Sequence, residues 1–449
     1  MGTTTSDELD LVRLDPAYRV YGERAPGSPT SRIDVRSGTR EATALFEQRE
    51  PGAGRALERY LRSATRAYHA AREAFLYNTF ASPRSLLSAA VWRGAPAVLP
   101  LLIRSLWSHI RRRFRDGRLR QILGYPAVFL GTSPFEAPAL YHLMSHMDLV
   151  DGVRYPRGGF RTLVDALAAL AERNGVTIQT GTEATAIVTD GGRVRGVEVS
   201  RGGTRPVIEA DIVVSAIDEH HTETALLAPA DRSYPARRWR TQVTGPGAVL
   251  VMLGVRGGIP ELAHHTLLFS DDWHDNFDAI FGDEPREPDP PSLYVCKPSA
   301  TDERVAPAGH ENLFVLVPVA PDVSIGHGGV GAEGDRAVVR IADRAIAQIA
   351  SWAGVPDLAE RVVVRRTVGP ADFERDFHTF RGSALGPAHT LRQSAFLRGV
   401  TRSRRVDGLF YTGSTAVPGV GLPMCLIGAE LVVKHVRGDH RPGPIEEPR

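Results

Sequence analysis

The sequence is poor in lysine and cysteine, and each shortage excludes a class of function. Lys297 and Lys434 are the only lysines, and the formal net charge is just +2. A chain this close to neutral does not produce the strong positive field of a nucleic-acid-binding protein, so no such partner is expected. Cys296 and Cys425 are too few for a disulfide framework and show neither CxxC nor Cys/His zinc spacing, so no metal site is expected.

Long apolar runs are also missing. No stretch of 18 uncharged apolar residues could span a bilayer, and residues 1–20 lack the charged-then-apolar pattern of a secretory signal, so a cytoplasmic protein is expected. The chain does have 449 residues, of which 42% are hydrophobic and 24% charged. This composition is typical of a soluble globular protein with about two or three domains.

Residues 153–217 contain the clearest α/β pattern. VRYPRGGFRTLVDALAALAERNG places Leu163, Leu167 and Leu170 on one helical face, with Gly175 where the helix should stop. VTIQT predicts a strand, ATAIVTDGGRVRGVEV predicts a hairpin that turns at Asp190-Gly191, and ADIVVSAI predicts a buried strand. Mixed strands around a helix indicate an α/β layer.

A second pattern runs from about residue 220 to 405. The segments AVLVMLGV, HHTLLFS, SLYVCKP, ENLFVLVPVA and RVVVRRTV predict strands, and DRAVVRIADRAIAQIASWAG predicts a helix among them. We expect a second domain built on an antiparallel or mixed sheet.

Residues 85–120 join an apolar stretch containing Trp92 and Trp107 to a cluster of arginines at 111, 112, 113 and 115. An interfacial helix has this composition, because its apolar groups enter the headgroup boundary while its arginines meet anionic lipid. A core helix with a solvated end has it too. Both interpretations stay open, and peripheral membrane association is one expectation.

Near the C-terminus, VDGLFYTG predicts a strand and LPMCLIGAELVVKHV a helix, with Gly413, Gly419 and Gly421 between them. Pro423 suits the first helical turn, where its missing N–H costs little. Glycines let a backbone approach a flat or anionic group, and a helix start carries positive partial charge. The turn is therefore either a tight loop with unusual dihedral angles or a ligand site.

Together with PRGG at 156–159, the pattern G-x-x-x-x-P-G-x-G-x-P at 413–423 resembles the bacterial phytoene desaturase family, FAD-dependent carotenoid desaturases related to amine oxidases. Blocks such as DGVRYPRGGFRTLVDAL and LYVCKPSATDERVAPAGHENLFVLVP are similar to blocks of that family, in family order. The likeness extends from about residue 10 to residue 438.

The resemblance implies an α/β (α+β) fold, in which a discontinuous, Rossmann-like FAD-binding domain is interleaved with a mixed-sheet substrate domain and a helical membrane-facing region. Members of the family open with a strand, a G-x-G-x-x-G turn and a helix that hold the FAD pyrophosphate. This chain starts after that unit, so an N-terminally incomplete FAD domain is expected. The implied divisions are 1–152 (substrate and membrane region), 153–219 (middle of the FAD domain), 220–405 (substrate domain), 406–438 (end of the FAD domain) and 439–449 (tail).

The resemblance also implies site residues. Those near FAD would be Gly158, Gly159, Glu183, Ala184, Ser215, Gly413, Ser414, Gly421, Pro423 and Met424, with Asp218 completing a family S-x-x-D that begins at Ser215. For catalysis no acid or base is evident, and His389 and Gln393 are the candidates. A structural role for His389 is the alternative.

The activity implied is FAD-dependent desaturation of a long polyene or isoprenoid such as phytoene, with hydride passing from a saturated C–C unit to the flavin. A related flavoprotein acting on another isoprenoid, such as a ketolase or saturase, is the second hypothesis. The third is a non-catalytic or truncated relative that does not bind FAD. A homo-oligomer is left open.

Overall fold

The computed structural model describes residues 3–23, 31–72, 76–79, 101–393, 398–441 and 443–445. Its strands are β1 (Leu11–Arg13), β2 (Tyr18–Gly22), β3 (Arg32–Val35), β4 (Arg154–Pro156), β5 (Glu183–Asp190), β6 (Arg193–Ser200), β7 (Val207–Glu209), β8 (Val213–Ser215), β9 (Gly247–Arg256), β10 (His265–Phe269), β11 (Leu293–Cys296), β12 (His310–Val319), β13 (Val362–Val368) and β14 (Leu409–Tyr411).

Its described α-helices are between 3 and 19 residues long, and two near the N-terminus pack on each other. They are α1 (Thr5–Glu8), α2 (Thr39–Arg49), α3 (Ala53–Ala71), α4 (Leu106–Arg111), α5 (Gly117–Gly124), α6 (Met144–His146), α7 (Phe160–Arg173), α8 (Glu219–His221), α9 (Ala236–Thr241), α10 (Trp273–Phe281), α11 (Arg336–Ala353), α12 (Leu358–Arg361), α13 (Pro370–Phe377) and α14 (Leu422–Arg437).

A seven-stranded sheet in the order β13-β9-β12-β11-β10-β2-β3 forms the centre of the fold. β2 and β10 pair in parallel, and the other neighbours are antiparallel. In β12 every second residue from Leu313 to Val319 is buried, the period-two pattern of a strand with one covered face. The strands predicted from residues 220–405 lie in this sheet, which also takes in β2 and β3 from the N-terminal region.

Alternate side chains of the sheet enter different cores. Leu267 and Phe269 of β10 belong to a buried cluster with α3, α4 and α5, whereas Leu268 belongs to a second cluster with α11. Because successive side chains of a strand point to opposite faces, one sheet separates two apolar layers. The sheet therefore has helices on both faces.

Three smaller sheets lie outside this core. β5, β6 and β7 form an antiparallel meander, β1 pairs with β4, and β8 pairs in parallel with β14. The predicted hairpin is confirmed, with β5 ending at Asp190 and glycines at 191 and 192 in the left-handed region. The predicted helix is α7, and Gly175 beyond its end has φ 83°.

Two strand predictions are wrong in part or in full, and one helix prediction lies partly outside the described residues. ADIVVSAI, expected as a buried strand, forms only β8, in which Val214 is exposed. VTIQT, at 176–180, is exposed and forms no strand with any described segment. The interfacial helix expected over residues 85–120 lies outside the described residues up to residue 100. The described part, from residue 101 on, contains α4 and the start of α5. Among the helices in the described ranges, none is both long and apolar enough to cross a membrane.

Candidate functional site

The carboxyl ends of β8 and β14 lie side by side. Ser215 is the register partner of Tyr411, and the Thr412 N–H donates to the Ser215 carbonyl at 2.9 Å. Gly413 follows with φ 96°, and a Cβ there would lie 3.0 Å from the Ala216 carbonyl oxygen. The two loops therefore approach each other where parallel strands end, which is the edge at which α/β sheets bind ligands.

The start of α14 opens onto the surface. Gly421 has φ 116° and ψ 148°, and a Cβ there would have Met424 Cγ, at 3.9 Å, as its nearest described side-chain atom. Gly421, Leu422 and Pro423 are exposed, and Met424 is half-buried. Because the first N–H groups of a helix have no acceptor within the helix, this end presents donors and positive partial charge to whatever lies in front of it.

A buried arginine supports the turn from beneath. Arg398 is 2% exposed, and its guanidinium donates to the carbonyl oxygens of Ser414 at 2.7 Å and Ala416 at 3.3 Å. Its Nη1 has no hydrogen-bond partner within the described part of the chain. Burial lowers the pKa of Arg398 to about 10, so the group stays charged at neutral pH. Arg398 was not among the predicted site residues.

A buried carboxyl lies on the other side of the turn. The Glu219 N–H donates to Thr415 Oγ1 at 3.1 Å, and its Oε2 is 3.5 Å from Arg238 Nη2. Its Oε1 has no partner among the residues that the structure describes. Burial raises the pKa of Glu219 to about 7, against the opposing charge of Arg238. This carboxyl can therefore gain or lose a proton near neutral pH.

Asp218 forms the N-cap of α8. Its Oδ1 accepts from the N–H groups of His220 at 2.8 Å and His221 at 3.4 Å, and its Oδ2 accepts from that of Phe380 at 3.2 Å. Burial is the largest cause acting on Asp218 and raises its pKa. The aspartate of the family S-x-x-D thus orients the loop after β8.

The two catalytic candidates differ in position. His389 is buried against the turn: its Nδ1 lies 2.8 Å from the Leu130 carbonyl, and its Nε2 is 2.3 Å from where a Cβ of Gly419 would be. Burial and then the Arg398 charge lower the pKa of His389 to about 3, so the ring is neutral. Since a carbonyl only accepts, Nδ1 carries the proton.

Gln393 has a structural position. Its Oε1 accepts from the Val243 N–H at 2.8 Å, and its Nε2 donates to the Val243 carbonyl at 2.7 Å and to the Ala388 carbonyl at 3.1 Å. Both ends of the amide are therefore occupied by backbone groups, and the side chain ties two loops together.

The remaining predicted residues lie in two other places. Gly158 and Gly159, with φ 89° and 84°, lead into α7, and the Gly158 N–H donates to Asp302 Oδ2 at 2.6 Å. Glu183 and Ala184 are exposed at the start of β5. Ser215, Gly413, Ser414, Gly421, Pro423 and Met424 come together around β8, β14 and the start of α14.

Several apolar side chains around these elements face solvent. α7 has no residue buried against the described residues, and Phe160 and Val164 are 63% and 56% exposed. Val214 of β8 and Leu426 of α14 are exposed as well. Amphipathic helices and strands ordinarily cover such faces, so these elements have room for a further layer.

The residues present fit one part of a flavin dinucleotide. The start of α14, the glycine at 421 and the buried arginine beneath Ser414 suit an electron-rich ring that gains negative charge. In the described ranges, no G-x-G-x-x-G turn directly follows a strand and opens a helix, which is the arrangement that holds a pyrophosphate. The fit is therefore to the ring portion of the cofactor.

Comparison with known proteins gives consistent matches. Residues 94–436 match the family model of flavin containing amine oxidoreductases. A carotenoid 3,4-desaturase of Haloarcula japonica is 42% identical over 431 residues, covering 96% of this chain and 83% of that protein. A zeta-carotene-forming phytoene desaturase of Myxococcus xanthus is 33% identical over 448 residues, covering 97% and 80%. An oxidoreductase structure from Methanosarcina mazei superposes with a TM-score of 0.57 at 13% identity, covering 96% of this chain and 82% of that one, and so shows the same fold.

Proposed function

This chain belongs to the flavin-containing amine oxidoreductase family, and we propose that it is an FAD-dependent desaturase of a carotenoid precursor. The relatives that are 42% and 33% identical over nearly the whole chain are named carotenoid and phytoene desaturases. The structural feature that carries the proposal is an apolar cavity of about 110 Å³ whose lining includes Leu385. The next residue, Gly386, lies against the turn between β14 and α14, since a Cβ there would be 3.2 Å from Thr415 Cγ2. A long hydrocarbon needs such a lining, since it offers no group for hydrogen bonding.

The cavity lies between the central sheet, α10 and the loops at 125–129 and 384–385. Its lining is almost entirely apolar and aromatic, from Tyr125, Val128, Phe129, Pro246, Gly247, Ala248, Leu267, Phe269, Trp273, Asn276, Phe277, Ile280, Ser292, Leu293, Tyr294, Leu316, Pro318, Ala384 and Leu385. Burial of a polyene against these side chains would supply about 25 cal/mol for each Å² removed from water. Shape and apolar area, more than polar contacts, would select the substrate.

Backbone contacts connect the cavity to the turn. Phe129 lines the cavity, and the next residue, Leu130, holds the His389 ring through its carbonyl. His389 in turn lies against Gly419. This succession of contacts supports hydride transfer at the Phe129 end of the cavity.

When bound, FAD supplies the hydride acceptor for oxidation of a carbon–carbon bond. Gly413, Ser414, Gly421, Pro423 and Met424 would hold its ring portion. Arg398 fixes the carbonyl groups of this turn and adds a buried positive charge beneath it. Glu219 would hold the proton that leaves the substrate, because its pKa is raised to about 7 and its Oε1 has no hydrogen-bond partner in the part of the chain that the structure describes.

We also propose that the FAD domain is formed by residues 153–219 and 406–438, with a further layer over the exposed apolar side chains of β8 and α7. The parallel pairing of β8 with β14 joins these two segments, and the exposed apolar side chains of α7 and β8 support a further layer there. If this apolar face is covered in the FAD-loaded protein, replacing the exposed Val214 of β8 by lysine should lower FAD affinity, measured by flavin fluorescence, and unchanged affinity would count against a covering layer.

A third proposal concerns the surface around α4. Ile103, which precedes α4, is 87% exposed, and the arginines at 111 and 112, where α4 ends, are exposed too; this composition supports contact with an anionic membrane surface. The substrate would then enter from lipid, in which hydrocarbons of this class dissolve. Flotation with vesicles containing anionic lipid tests the contact. The test variant is Arg111→Glu/Arg112→Glu. The charge-matched control is the double variant Arg201→Glu/Arg205→Glu, at exposed positions between β6 and β7.

The main experiment is expression of the FAD-loaded protein in cells that accumulate phytoene. Coloured products with longer conjugated chains are expected, and the variant Gly438→Ala, at the far end of α14, should give the same products. Phytoene left unchanged by a flavin-loaded protein would refute the proposal. Oxygenated or more saturated products would favour the alternative, a flavoprotein that acts on another isoprenoid as a ketolase or saturase.

A further inference from the structure

Two histidines and a cysteine meet where β10 and β11 pair. His265 is the first residue of β10 and the register partner of Cys296, the last residue of β11, and His264 directly precedes β10. One nitrogen of each ring and the cysteine sulfur all lie within 4.8 Å of one another. These three residues, the His264 cluster, take no part in the flavin site described above.

Hydroxyl groups orient both imidazole rings of the His264 cluster. His264 Nδ1 lies 2.7 Å from Thr301 Oγ1, and His265 Nδ1 lies 2.7 Å from Tyr294 Oη. With Nδ1 engaged, each ring has Nε2 left for another partner. Metal-binding histidines are commonly held in this way, with one nitrogen bonded to an outer group that fixes the ring and its tautomer.

Two polar atoms, one in the cluster and one on a ring packed against it, are buried without a hydrogen-bond partner among the described residues. His264 is 4% exposed, yet its Nε2 has no hydrogen-bond partner among the described residues. The ring of Tyr155 packs on His264 with centroids 4.6 Å apart, and Tyr155 Oη is likewise buried and unpartnered within the described ranges. A buried polar atom without a partner costs about 1–3 kcal/mol, so two of them on touching rings indicate a ligand that both could reach.

The lysine beside the cluster does not oppose a cation that binds nitrogen and sulfur. The nearby Lys297 ammonium is already engaged, since its Nζ donates to the Ile259 carbonyl at 2.6 Å and lies 3.5 Å from Glu311 Oε1. Glu311 therefore offsets the one lysine charge that would oppose a cation.

We propose that His264, His265 and Cys296 form a three-ligand site for a divalent cation of the zinc class, with a fourth position open toward Tyr155. Two imidazole nitrogens and a thiolate are ligands that zinc accepts, at about 2.0–2.1 Å for nitrogen and 2.3 Å for sulfur. These bond lengths bring tetrahedral ligand atoms to within about 4 Å of one another. Small rotations of the three side chains would close the site, and the thiol proton would leave on binding.

The metal site is connected to the lining of the apolar cavity through one side chain. Tyr294 holds His265 through its hydroxyl, while the same side chain lines the apolar cavity. Locking His265 on a metal would therefore fix the Tyr294 ring as well. The metal would therefore position Tyr294 in the cavity lining and would take no part in hydride transfer.

Titration of the FAD-loaded protein with Co²⁺ and Zn²⁺ tests the site. One Co²⁺ per chain with a thiolate-to-metal charge-transfer band is expected, and Zn²⁺ should displace it. Cys296→Ser should remove the band, whereas Cys425→Ser, the same change at the other cysteine, should keep it. Thr301→Val removes only the group that orients His264 and should weaken affinity about 10–100-fold.

A second readout needs no variant at Cys296. In the unmodified protein, Zn²⁺ should slow alkylation of Cys296 by iodoacetamide at least tenfold relative to metal-free protein, and should leave the rate at Cys425 unchanged. Peptide mass spectrometry separates the two cysteines. Equal rates at Cys296 with and without Zn²⁺, or a charge-transfer band that survives Cys296→Ser, would overturn the proposal, whatever the outcome of the desaturation assay.

Discussion

Replacing Gly421 by alanine has two effects that can be measured separately. It strains the backbone of the apoprotein, and it places a methyl group where the flavin ring would lie, in front of α14. With φ 116° and ψ 148°, Gly421 has a conformation that other residues rarely adopt, so the substitution should lower the free energy of unfolding by about 1–3 kcal/mol. Steric overlap should add little, because the nearest described side-chain atom is Met424 Cγ at 3.9 Å. Urea unfolding of the apoprotein measures this cost.

The control is Gly438→Ala at the other end of the same helix. Gly438 has φ 65° and ψ 22°, and a Cβ there would have no described neighbour within 4 Å, so about 1–2 kcal/mol is expected from the left-handed conformation alone. If the flavin ring lies against the start of α14, FAD affinity should fall at least about tenfold, or ~1.4 kcal/mol, in Gly421→Ala only. Quenching of FAD fluorescence measures the affinity, and equal affinities in the two variants would refute this placement of the cofactor.

Three further predictions test the proposed roles. Arg398→Met removes two hydrogen bonds to the turn, so it should lower the free energy of unfolding by about 2–4 kcal/mol and weaken FAD binding. If neither the free energy of unfolding nor the FAD affinity changes, Arg398 does not stabilise the turn. Because the folded-state pKa of Glu219 is raised from 4.5 to about 7, its stabilising contribution is complete below pH 4.5 and is lost as pH rises through 7. Glu219→Gln should thus gain up to about 3 kcal/mol relative to wild type between pH 4.5 and 8, and a pH-independent difference in urea unfolding would contradict this sign. Arg111→Glu/Arg112→Glu should reduce flotation with anionic vesicles, most at low salt, and equal flotation of this variant and its control would place the contact elsewhere.

The sequence patterns predicted the central sheet well because its strands carry their own signal. β9 and β12 are long runs of apolar residues, and buried positions alternate along β12 as the period of a strand requires. The partnership of β2 with β10 could not be read in this way. Tyr18–Gly22 and His265–Phe269 are far apart in the chain, and no local pattern specifies which strand edge is nearest.

The sharp turn before α14 was predictable from its glycines. Positive φ angles at Gly413, Gly419 and Gly421 match the expectation that the chain turns sharply before α14. The role of Arg398 could not be predicted from the sequence, because in an arginine-rich chain nothing in the local sequence distinguishes a buried arginine from a solvent-exposed one. The His264 cluster was missed for a related reason: metal spacing rules describe short sequence intervals, whereas His265 and Cys296 meet only through strand pairing.

VTIQT and α7 show how far local sequence can decide structure. Both were predicted from apolar periodicity, yet only the helix forms, because its hydrogen bonds lie within the segment while those of a strand need a neighbour. The helix nevertheless leaves its apolar face exposed, at Val164 and Leu167, and Val176 and Ile178 in VTIQT are exposed too. Apolar periodicity thus predicts which face an element would bury, but whether that face is covered depends on partners that the local sequence does not specify.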